Sequence, residues 1–339
     1  MMDFLNAEKM SNDDELGKIM KEKILNKFCK EYVSIGEDRT SMPVQYLQFA
    51  EQIKNFEVLD DDIWIVTYPR TGTTWSQEMI WMIANNLDFE GANEPLVLRF
   101  PFLELSALFD EEKLYAALKI GRGIYNLNSV EFTANLKRRP RFIKTHLPYS
   151  LLPDQIKNGT KKPKIIYVAR NPKDTCVSFC HHGSLFVGWK IDVDTFAKLF
   201  IAERSMYGSF WKHVLGFWKQ RDAPNIFFIK YEDMKEDHPA VIRKVARFLG
   251  KELTDEQVGI LVKHLSFESM KKNNAVNWED YVQQLKKNNV GNKDDSFIRI
   301  GKVGTYKKEL SPDTIKEFDA WTKKNITGTS LENEPIFNM

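Results

Sequence analysis

The sequence has 339 residues, of which 42% are hydrophobic and 28% are charged, a composition that favours a chain with a large buried core and argues against disorder. The 49 basic and 47 acidic residues give a net charge of +2, which excludes the broad basic field expected of a nucleic-acid-binding protein. Any anion site must therefore be local.

The N-terminus and the cysteines indicate a cytoplasmic protein. The chain starts without a basic, apolar leader, and no stretch approaches the roughly 20 apolar residues that span a bilayer. Cys29, Cys176 and Cys180 are an odd, sparse set, typical of free thiols in a reducing compartment. Cys176 and Cys180 precede His181 and His182, but the spacing lacks the paired pattern of a metal site. We therefore expect no membrane span and no metal.

Strands and helices alternate along the chain. The apolar run 63–67 predicts a strand that is covered on both faces, and apolar side chains at helical spacing predict a helix over 74–87. An aromatic stripe within 196–217 also has helical spacing and is most simply core packing. The other predicted elements are strands at 142–145, 164–169 and 225–230 and helices near 239–250, 254–264 and 311–325. This alternation predicts an α/β fold, a single domain whose central, mostly parallel sheet is flanked by helices and binds ligands outside the carboxyl ends of its strands.

A P-loop-like, phosphate-binding sequence, Tyr68-Pro-Arg-Thr-Gly-Thr-Thr-Trp75, joins the first predicted strand of this sheet to its helix. Gly72 permits a tight turn and the close approach of a ligand, and the amides that begin the helix lack intrahelical partners. Together with the helix dipole and the Arg70 guanidinium, these amides favour an anion. The same sequence is also compatible with a simple helix cap beside an ordinary basic residue. Gly72 is not followed by the Lys-Ser/Thr of a Walker A motif, which argues against an ATP-dependent kinase.

Two polar side chains lie at the carboxyl end of the next predicted strand. Lys144 and His146 stand two residues apart in Lys144-Thr-His-Leu-Pro148, so both point to the same face, and Pro148 helps to stop the strand. The pair is therefore placed where ligands of parallel sheets bind.

These motifs resemble those of the cytosolic sulfotransferases. The loop is similar to the family's 5′-phosphosulfate loop, usually YPKSGTTW, and residues 144–148 match its KTHLP motif. Further matches follow in the family's order between about residues 40 and 325, and insect members look most similar. The resemblance implies a sulfotransferase domain at 46–339 that is preceded by an N-terminal extension, 1–45.

The resemblance also implies an activity. The family moves the sulfuryl group of 3′-phosphoadenosine 5′-phosphosulfate (PAPS) to an acceptor hydroxyl by in-line displacement, without a metal, and releases 3′-phosphoadenosine 5′-phosphate (PAP). His146 matches the family's general base, and Lys144 matches the residue that stabilises charge on the sulfuryl oxygens. Arg70 stands where the family has a lysine for the oxygen that bridges phosphate and sulfur, and arginine changes the reach and geometry of that charge.

The residues that bind the nucleotide in the family have counterparts at matching positions of this sequence. Arg170 and Ser178 match the family's 3′-phosphate contacts, as do Arg299 and Gly301 in a segment similar to RKGxxG, where Ile300 replaces the usual lysine. Trp75, Phe267 and Tyr231 match the residues around adenine. The full set is Arg70, Thr71, Gly72, Thr73, Thr74, Trp75, Arg170, Ser178, Tyr231, Leu265, Ser266, Phe267, Met270, Phe297, Ile298, Arg299, Ile300 and Gly301.

The sequence says less about the acceptor and the oligomeric state. Segments that line the acceptor cavity in relatives carry six aromatic residues, which are equally compatible with core packing: Phe100, Phe102, Phe109, Phe142, Phe186 and Trp189. They imply a small hydrophobic acceptor such as a phenol, a steroid or another alcohol, and a role in xenobiotic or hormone metabolism. The family's dimer motif, KxxxTVxxxE, is broken within 307–316, so a homodimer does not follow from the sequence.

Three interpretations remain open at this point. The first is an active PAPS-dependent sulfotransferase. The second, suggested by Arg70 and Ile300, is a PAP- or PAPS-binding protein with little catalysis. The third is a PAPS-dependent dehydratase, in which a sulfated allylic alcohol eliminates sulfate.

Overall fold

The computed structural model describes residues 5–119, 128–290, 292 and 296–337. Strands β1 to β7, in chain order, are Glu8–Lys9, Tyr32–Ile35, Thr40–Pro43, Ile63–Thr67, Phe142–Thr145, Lys164–Ala169 and Ile226–Lys230. Helices α1 to α16 are Glu15–Ile19, Tyr46–Lys54, Thr73–Ala84, Leu96–Arg99, Glu111–Leu118, Ser129–Ala134, Asp154–Lys157, Pro172–Val187, Val193–Ile201, Phe210–Trp218, Tyr231–Glu236, His238–Leu249, Asp255–His264, Phe267–Lys272, Glu279–Lys287 and Pro312–Ile326. A π-helical turn, Met20–Ile24, continues α1, and short 3₁₀ turns are Gly91–Asn93, Leu105–Ala107, Tyr149–Leu151, Thr305–Lys308, Ser330–Asn333 and Pro335–Phe337.

The central sheet has the strand order β5-β4-β6-β7, and each of these pairs is parallel. Ile63 of β4 pairs with Phe142 of β5 on one side and with Lys164 of β6 on the other. The carboxyl ends of the strands therefore meet at one edge of the sheet. The prediction of an α/β domain with a mostly parallel sheet is confirmed.

Both faces of this sheet are covered by apolar side chains. Trp64 and Val66 of β4 pack into one hydrophobic cluster, and Ile63 and Ile65 pack into another. This explains why the strand is a continuous apolar run, because a strand between two layers has no solvent face.

The predicted helices are present with small differences. The helix predicted over 74–87 ends at Ala84, because Asn86 and Leu87 adopt left-handed backbone angles, with φ of 54° and 61°. The aromatic stripe of 196–217 is buried, as expected, but it lies on two helices, α9 and α10, that are separated by residues 202–209.

The residues that break the dimer motif begin the last helix. Ser311 is the N-cap of α16, where its hydroxyl accepts a hydrogen bond from the Thr314 amide, and Pro312 is the first helical residue.

Within the described ranges, no helix is long and apolar enough to cross a membrane. Cys29, Cys176 and Cys180 are buried, and none of them forms a disulfide within the part of the chain that the structure describes.

Residues 5–45 of the predicted N-terminal extension pack on the core. They form an antiparallel sheet, β1-β2-β3, and β2 and β3 contribute Tyr32, Ile35 and Met42 to the first hydrophobic cluster. The main chain of Ser41 also exchanges hydrogen bonds with the loop before α10, at 2.7 Å from the Tyr207 amide and 2.6 Å to the Gly208 carbonyl. The N-terminal sheet is therefore attached to the loop that precedes α10.

A buried ion pair offers a test of the packing. Arg141 donates from Nε and Nη2 to the Asp62 carboxylate at 2.8 and 2.7 Å, and both side chains are almost wholly buried. We expect Asp62→Ala to lower the free energy of unfolding by about 3–5 kcal/mol, because it leaves a buried guanidinium unpaired. Urea denaturation measures this, with Asp313→Ala in the exposed Lys316–Asp313 pair as the control. Equal effects in the two variants would contradict the expectation.

Candidate active site

A cavity of about 390 Å³ collects residues from the carboxyl edge of the sheet and from the segments around it. Most of the residues predicted from the sequence line this cavity. They are Arg70, Gly72, Thr73, Thr74, Trp75, Phe100, Phe102, Phe109, Lys144, His146, Arg170, Ser178, Phe186, Trp189, Tyr231, Leu265, Phe267, Met270, Phe297, Ile298, Arg299, Ile300 and Gly301.

Three predicted residues have other positions. Phe142 does not line the cavity, because it lies two residues before Lys144 on β5 and packs against Phe100 in the second hydrophobic cluster. The Thr71 hydroxyl is turned inward to the carbonyl of Val168, at 2.8 Å. Ser266 is the N-cap of α14, and its hydroxyl accepts from the Ser269 amide. These three residues therefore do not line the cavity, and the roles assigned to them stay predictions.

The phosphate loop has the conformation that its glycine predicts. Gly72 has a φ of 103°, and a Cβ at this position would come within 2.7 Å of Cδ2 of Tyr231. Helix α3 begins directly afterwards, so the Thr73 and Thr74 amides have no intrahelical carbonyl to bond. The Thr73 hydroxyl lies 2.8 Å from that of Thr67 at the end of β4. The loop thus presents free amides to the cavity at the positive end of a helix dipole.

Arg70 points across the cavity. Its Nε donates to the Ser178 hydroxyl at 3.2 Å, and Nη2 donates to the Phe297 carbonyl at 3.1 Å. Burial, followed by the charges of Arg170 and Arg299, lowers the pKa of Arg70 to about 10. Three guanidinium groups close enough to oppose one another favour an anionic ligand, because an anion removes the repulsion. The guanidinium thus bonds Ser178, a residue assigned to the 3′-phosphate, a contact that the sequence alone did not indicate.

Arg170 connects the phosphate loop to the C-terminal segment. It donates to the carbonyl of Arg70 at 3.1 Å and to that of Lys302 at 3.3 Å, and it lies 4.4 Å from the Tyr231 ring centroid. Its Nε is buried and has no hydrogen-bond partner among the residues that the structure describes. A buried donor without an acceptor is costly, and a phosphate oxygen would satisfy it.

A carboxylate that the sequence analysis missed holds the C-terminal segment in place. Asp174, on α8, is buried and accepts hydrogen bonds from the amides of Gly304 and Tyr306, at 2.6 and 3.1 Å, and from the Thr305 hydroxyl, at 3.0 Å. The available signal was an acidic residue in an otherwise apolar helical run, directly after the motif that carries Arg170.

Arg299 and the histidines of α8 have specific partners. Arg299 donates to one oxygen of Glu309 at 2.8 Å, and the other oxygen lies 2.6 Å from Nε2 of His181. His182 Nδ1 lies 3.4 Å from Nη1 of Arg70. Within the described residues, no three His, Cys, Asp or Glu side chains are grouped to hold a metal ion.

Two aromatic residues border the nucleotide end of the cavity. The Trp75 indole donates to the Leu265 carbonyl at 2.9 Å and meets Tyr231 edge to face. Phe267 lies against Gly301, where a Cβ would come within 2.6 Å of its Cδ2. A flat, apolar surface beside a cluster of guanidinium groups fits the adenine and phosphates of the nucleotide that the resemblance implies.

The hydrogen bonds of His146 identify its tautomer. Nδ1 lies 2.8 Å from the Thr67 carbonyl and 2.9 Å from the Thr67 hydroxyl. The carbonyl can only accept, so this shorter contact is a hydrogen bond when Nδ1 carries the proton. The Nε2 lone pair is therefore available. Burial and the charge of Lys144 hold the pKa of His146 well below its usual range. The imidazole is thus neutral at pH 7 and can accept a proton at Nε2.

Lys144 lies beside this imidazole in a largely apolar environment. Its Nζ is 4.0 Å from the ring centroid of Phe102, which in turn meets His146 edge to face. Burial lowers the pKa of Lys144 to about 8, against the opposing influence of the Glu104 carboxylate. A cation and a neutral base therefore share one end of the cavity.

The remaining wall is apolar and suits a hydrophobic ligand. It includes five of the predicted aromatic residues, Phe100, Phe102, Phe109, Phe186 and Trp189. Sequence reasoning missed other lining residues, because they come from separate segments: Leu96, Val97, Leu105, Leu108, Val187, Met206, Tyr207, Trp278 and Tyr281.

Comparisons with known proteins identify the family of this chain. The sulfotransferase domain family matches residues 60–330. Luciferin sulfotransferase of Photinus pyralis is 48% identical over 98% of this chain and 90% of that protein. Sulfotransferase 1E1 of Bos taurus is 34% identical over 85% of this chain and 92% of that protein. A structure of retinol dehydratase in complex with androsterone and inactive cofactor PAP has a TM-score of 0.86 at 30% identity and covers 96% of this chain and 98% of that chain. The chain therefore belongs to the sulfotransferase family and is a PAPS-dependent sulfotransferase.

Proposed function

We propose that the enzyme transfers the sulfuryl group to a hydroxyl of a small hydrophobic acceptor, with His146 as the general base. The observation that carries this proposal is the neutral imidazole, protonated on Nδ1, in the same cavity as Arg70, Arg170 and Arg299. A base and an anion site in one enclosed, largely apolar space suit the activation of a hydroxyl beside a charged donor.

The nucleotide is assigned to the basic side of the cavity. The amides that begin α3 would hold its 5′ end, and Arg170, Ser178 and Arg299 would hold its 3′-phosphate. Arg70, which bonds Ser178, would supply positive charge between these two sites. Trp75 and Phe267 would hold the adenine. When bound, PAPS supplies the activated sulfuryl group.

The protein residues then have separate roles. His146 takes the acceptor's hydroxyl proton at Nε2, and the carbonyl of Thr67 stabilises the resulting imidazolium through Nδ1. Lys144 and Arg70 supply positive charge where negative charge develops during transfer. The apolar wall excludes water and orients the acceptor.

The relatives support a small hydrophobic acceptor. Their names and ligands include luciferin, androsterone and retinol. The likeness to retinol dehydratase, with a TM-score of 0.86, also favours a second candidate activity, net dehydration of an allylic alcohol through its sulfate. Analysis of the product distinguishes a stable sulfate ester from an alkene.

The direct test is transfer of ³⁵S from labelled PAPS to a panel of phenols, steroids and allylic alcohols. We expect a labelled ester, or released sulfate with an alkene, for at least one acceptor. Binding of PAP without transfer to any acceptor would instead identify a binding protein with little catalysis.

The arginine of the phosphate loop permits a sharper test of that alternative. We expect Arg70→Lys to change kcat by less than about tenfold, because either side chain supplies one positive charge. Lysine lacks the rigid guanidinium fork with which Arg70 bonds both Ser178 and the Phe297 carbonyl, so PAP affinity should fall modestly. Steady-state kinetics and calorimetry measure the two effects. A gain in kcat of a hundredfold would show that the native arginine impairs transfer.

A further inference from the structure

Glu104 lies directly behind the proposed base. Its side chain is completely buried. Oε1 accepts hydrogen bonds from the main-chain N–H of His146 at 2.7 Å and from the Tyr207 hydroxyl at 3.0 Å. Oε2 accepts from the Thr145 hydroxyl at 2.8 Å. The carboxylate therefore binds Thr145 at the end of β5, His146 directly after it and Tyr207 in the cavity wall.

The hydrogen bonds of this network suit a carboxylate that accepts from three donors. The His146 amide can only donate. Thr145 Oγ1 accepts from the Leu147 amide at 3.0 Å and donates its own proton to Glu104. The Tyr207 hydroxyl donates the third hydrogen bond. Three donors on one carboxyl group together favour its ionised form.

Burial of the Glu104 carboxylate costs folding free energy, so the groups that compensate this cost indicate what the residue does. Burial raises the pKa of Glu104 to about 7, against the influence of its hydrogen bonds to His146, Thr145 and Tyr207. A buried carboxylate is retained in a core only where several donors compensate its desolvation. Here the compensating donors all belong to the His146 end of the cavity.

We propose that Glu104 is a positioning residue for sulfuryl transfer, holding the main chain of His146 while Thr67 holds its ring. The two contacts act on different parts of one residue, because Glu104 binds the amide and the Thr67 carbonyl binds Nδ1. Together they keep Nε2 directed into the cavity. This inference rests on the proposed role of His146.

Tyr207 extends the same unit to the acceptor wall and to the N-terminal sheet. Its ring lines the cavity and meets His146 edge to face, at 5.6 Å between centroids. Its main-chain N–H donates to the Ser41 carbonyl of β3 at 2.7 Å. Ser41, Tyr207, Glu104 and His146 are thus linked by consecutive hydrogen bonds, so the N-terminal segment supports the base.

The test is Glu104→Gln, which keeps the size of the side chain. The new amide N–H₂ can donate to the Thr145 hydroxyl oxygen, but the proton of that hydroxyl then loses Glu104 as its acceptor, and the negative charge is removed. We expect kcat to fall about 10- to 100-fold, as for other residues that orient a functional histidine. The Kd for PAP should stay within about twofold, since Glu104 does not line the cavity. Tyr207→Phe, which removes one hydrogen bond, should lower kcat less.

A matched control separates positioning from loss of a buried charge. Glu78 is also completely buried, but it pairs with Arg99 and His264. Glu78→Gln should lower thermal stability and retain kcat. In a His146→Ala background, Glu104→Gln should cause no further loss of kcat, because the residue that it positions is absent.

A spectroscopic readout tests the idea without turnover. In protein with ¹⁵N-labelled histidine, the Nδ1–H of His146 should give an exchange-protected signal that Glu104→Gln weakens or abolishes. Full kcat together with an unchanged signal in Glu104→Gln would overturn the positioning role. If the native enzyme transfers to no acceptor, the proposed function fails, and the imidazole signal alone decides whether Glu104 positions the ring.

Discussion

Replacement of His146 by alanine is expected to slow sulfuryl transfer by ~10²–10⁴-fold, the usual contribution of a general base. The acceptor hydroxyl would then have to give its proton to water. Unlike the imidazole, water is not oriented by the Thr67 carbonyl. The Kd for PAP should stay within about twofold, because the contacts assigned to the nucleotide belong to other residues. Single-turnover transfer and calorimetry separate the two effects.

A histidine outside the cavity gives the control for this variant. His264 pairs with Glu78 and does not line the cavity, so His264→Ala should retain kcat. Normal turnover by His146→Ala would refute its assignment as the base, whereas a large loss of PAP affinity would indicate that the variant disturbs the whole cavity.

Replacement of Arg170 by alanine is expected to weaken PAP binding about 10- to 150-fold, since a hydrogen bond to a charged group contributes about 1.5–3 kcal/mol. The variant removes the buried Nε that lacks a partner and also the two contacts between the phosphate loop and the C-terminal segment. Affinity for adenosine 5′-phosphate, which has no 3′-phosphate, should fall much less. Calorimetry with both nucleotides measures the difference.

Arg221 is a suitable control for this second variant. It stacks on Trp218, 4.5 Å from the ring centroid, and does not line the cavity. Arg221→Ala should leave both nucleotide affinities unchanged. Equal losses for PAP and adenosine 5′-phosphate in Arg170→Ala would contradict its assignment to the 3′-phosphate.

Much of the fold follows from local sequence. The strand at 63–67 and the capped helix that Asn171 and Pro172 begin could be predicted, because apolar periodicity and capping act over a few residues. The order of the four parallel strands could not be predicted, because it depends on long-range packing between β4 and its two neighbours.

The site was predictable where a motif carries it. Gly72 and His146 stand in short segments whose spacing already places them at the carboxyl edge. Glu104 was missed because it contacts His146 from a segment 42 residues away. Phe142 shares a face of β5 with Lys144 but does not line the cavity, because it lies two residues farther from the carboxyl edge of the sheet.

The most direct measurement is titration of the purified enzyme with PAP by isothermal calorimetry, with adenosine 5′-phosphate as the comparison. We expect one PAP per chain and an affinity at least about tenfold above that of adenosine 5′-phosphate, because a second phosphate adds charge-assisted hydrogen bonds. The absence of PAP binding would contradict the assignment of this cavity to the nucleotide.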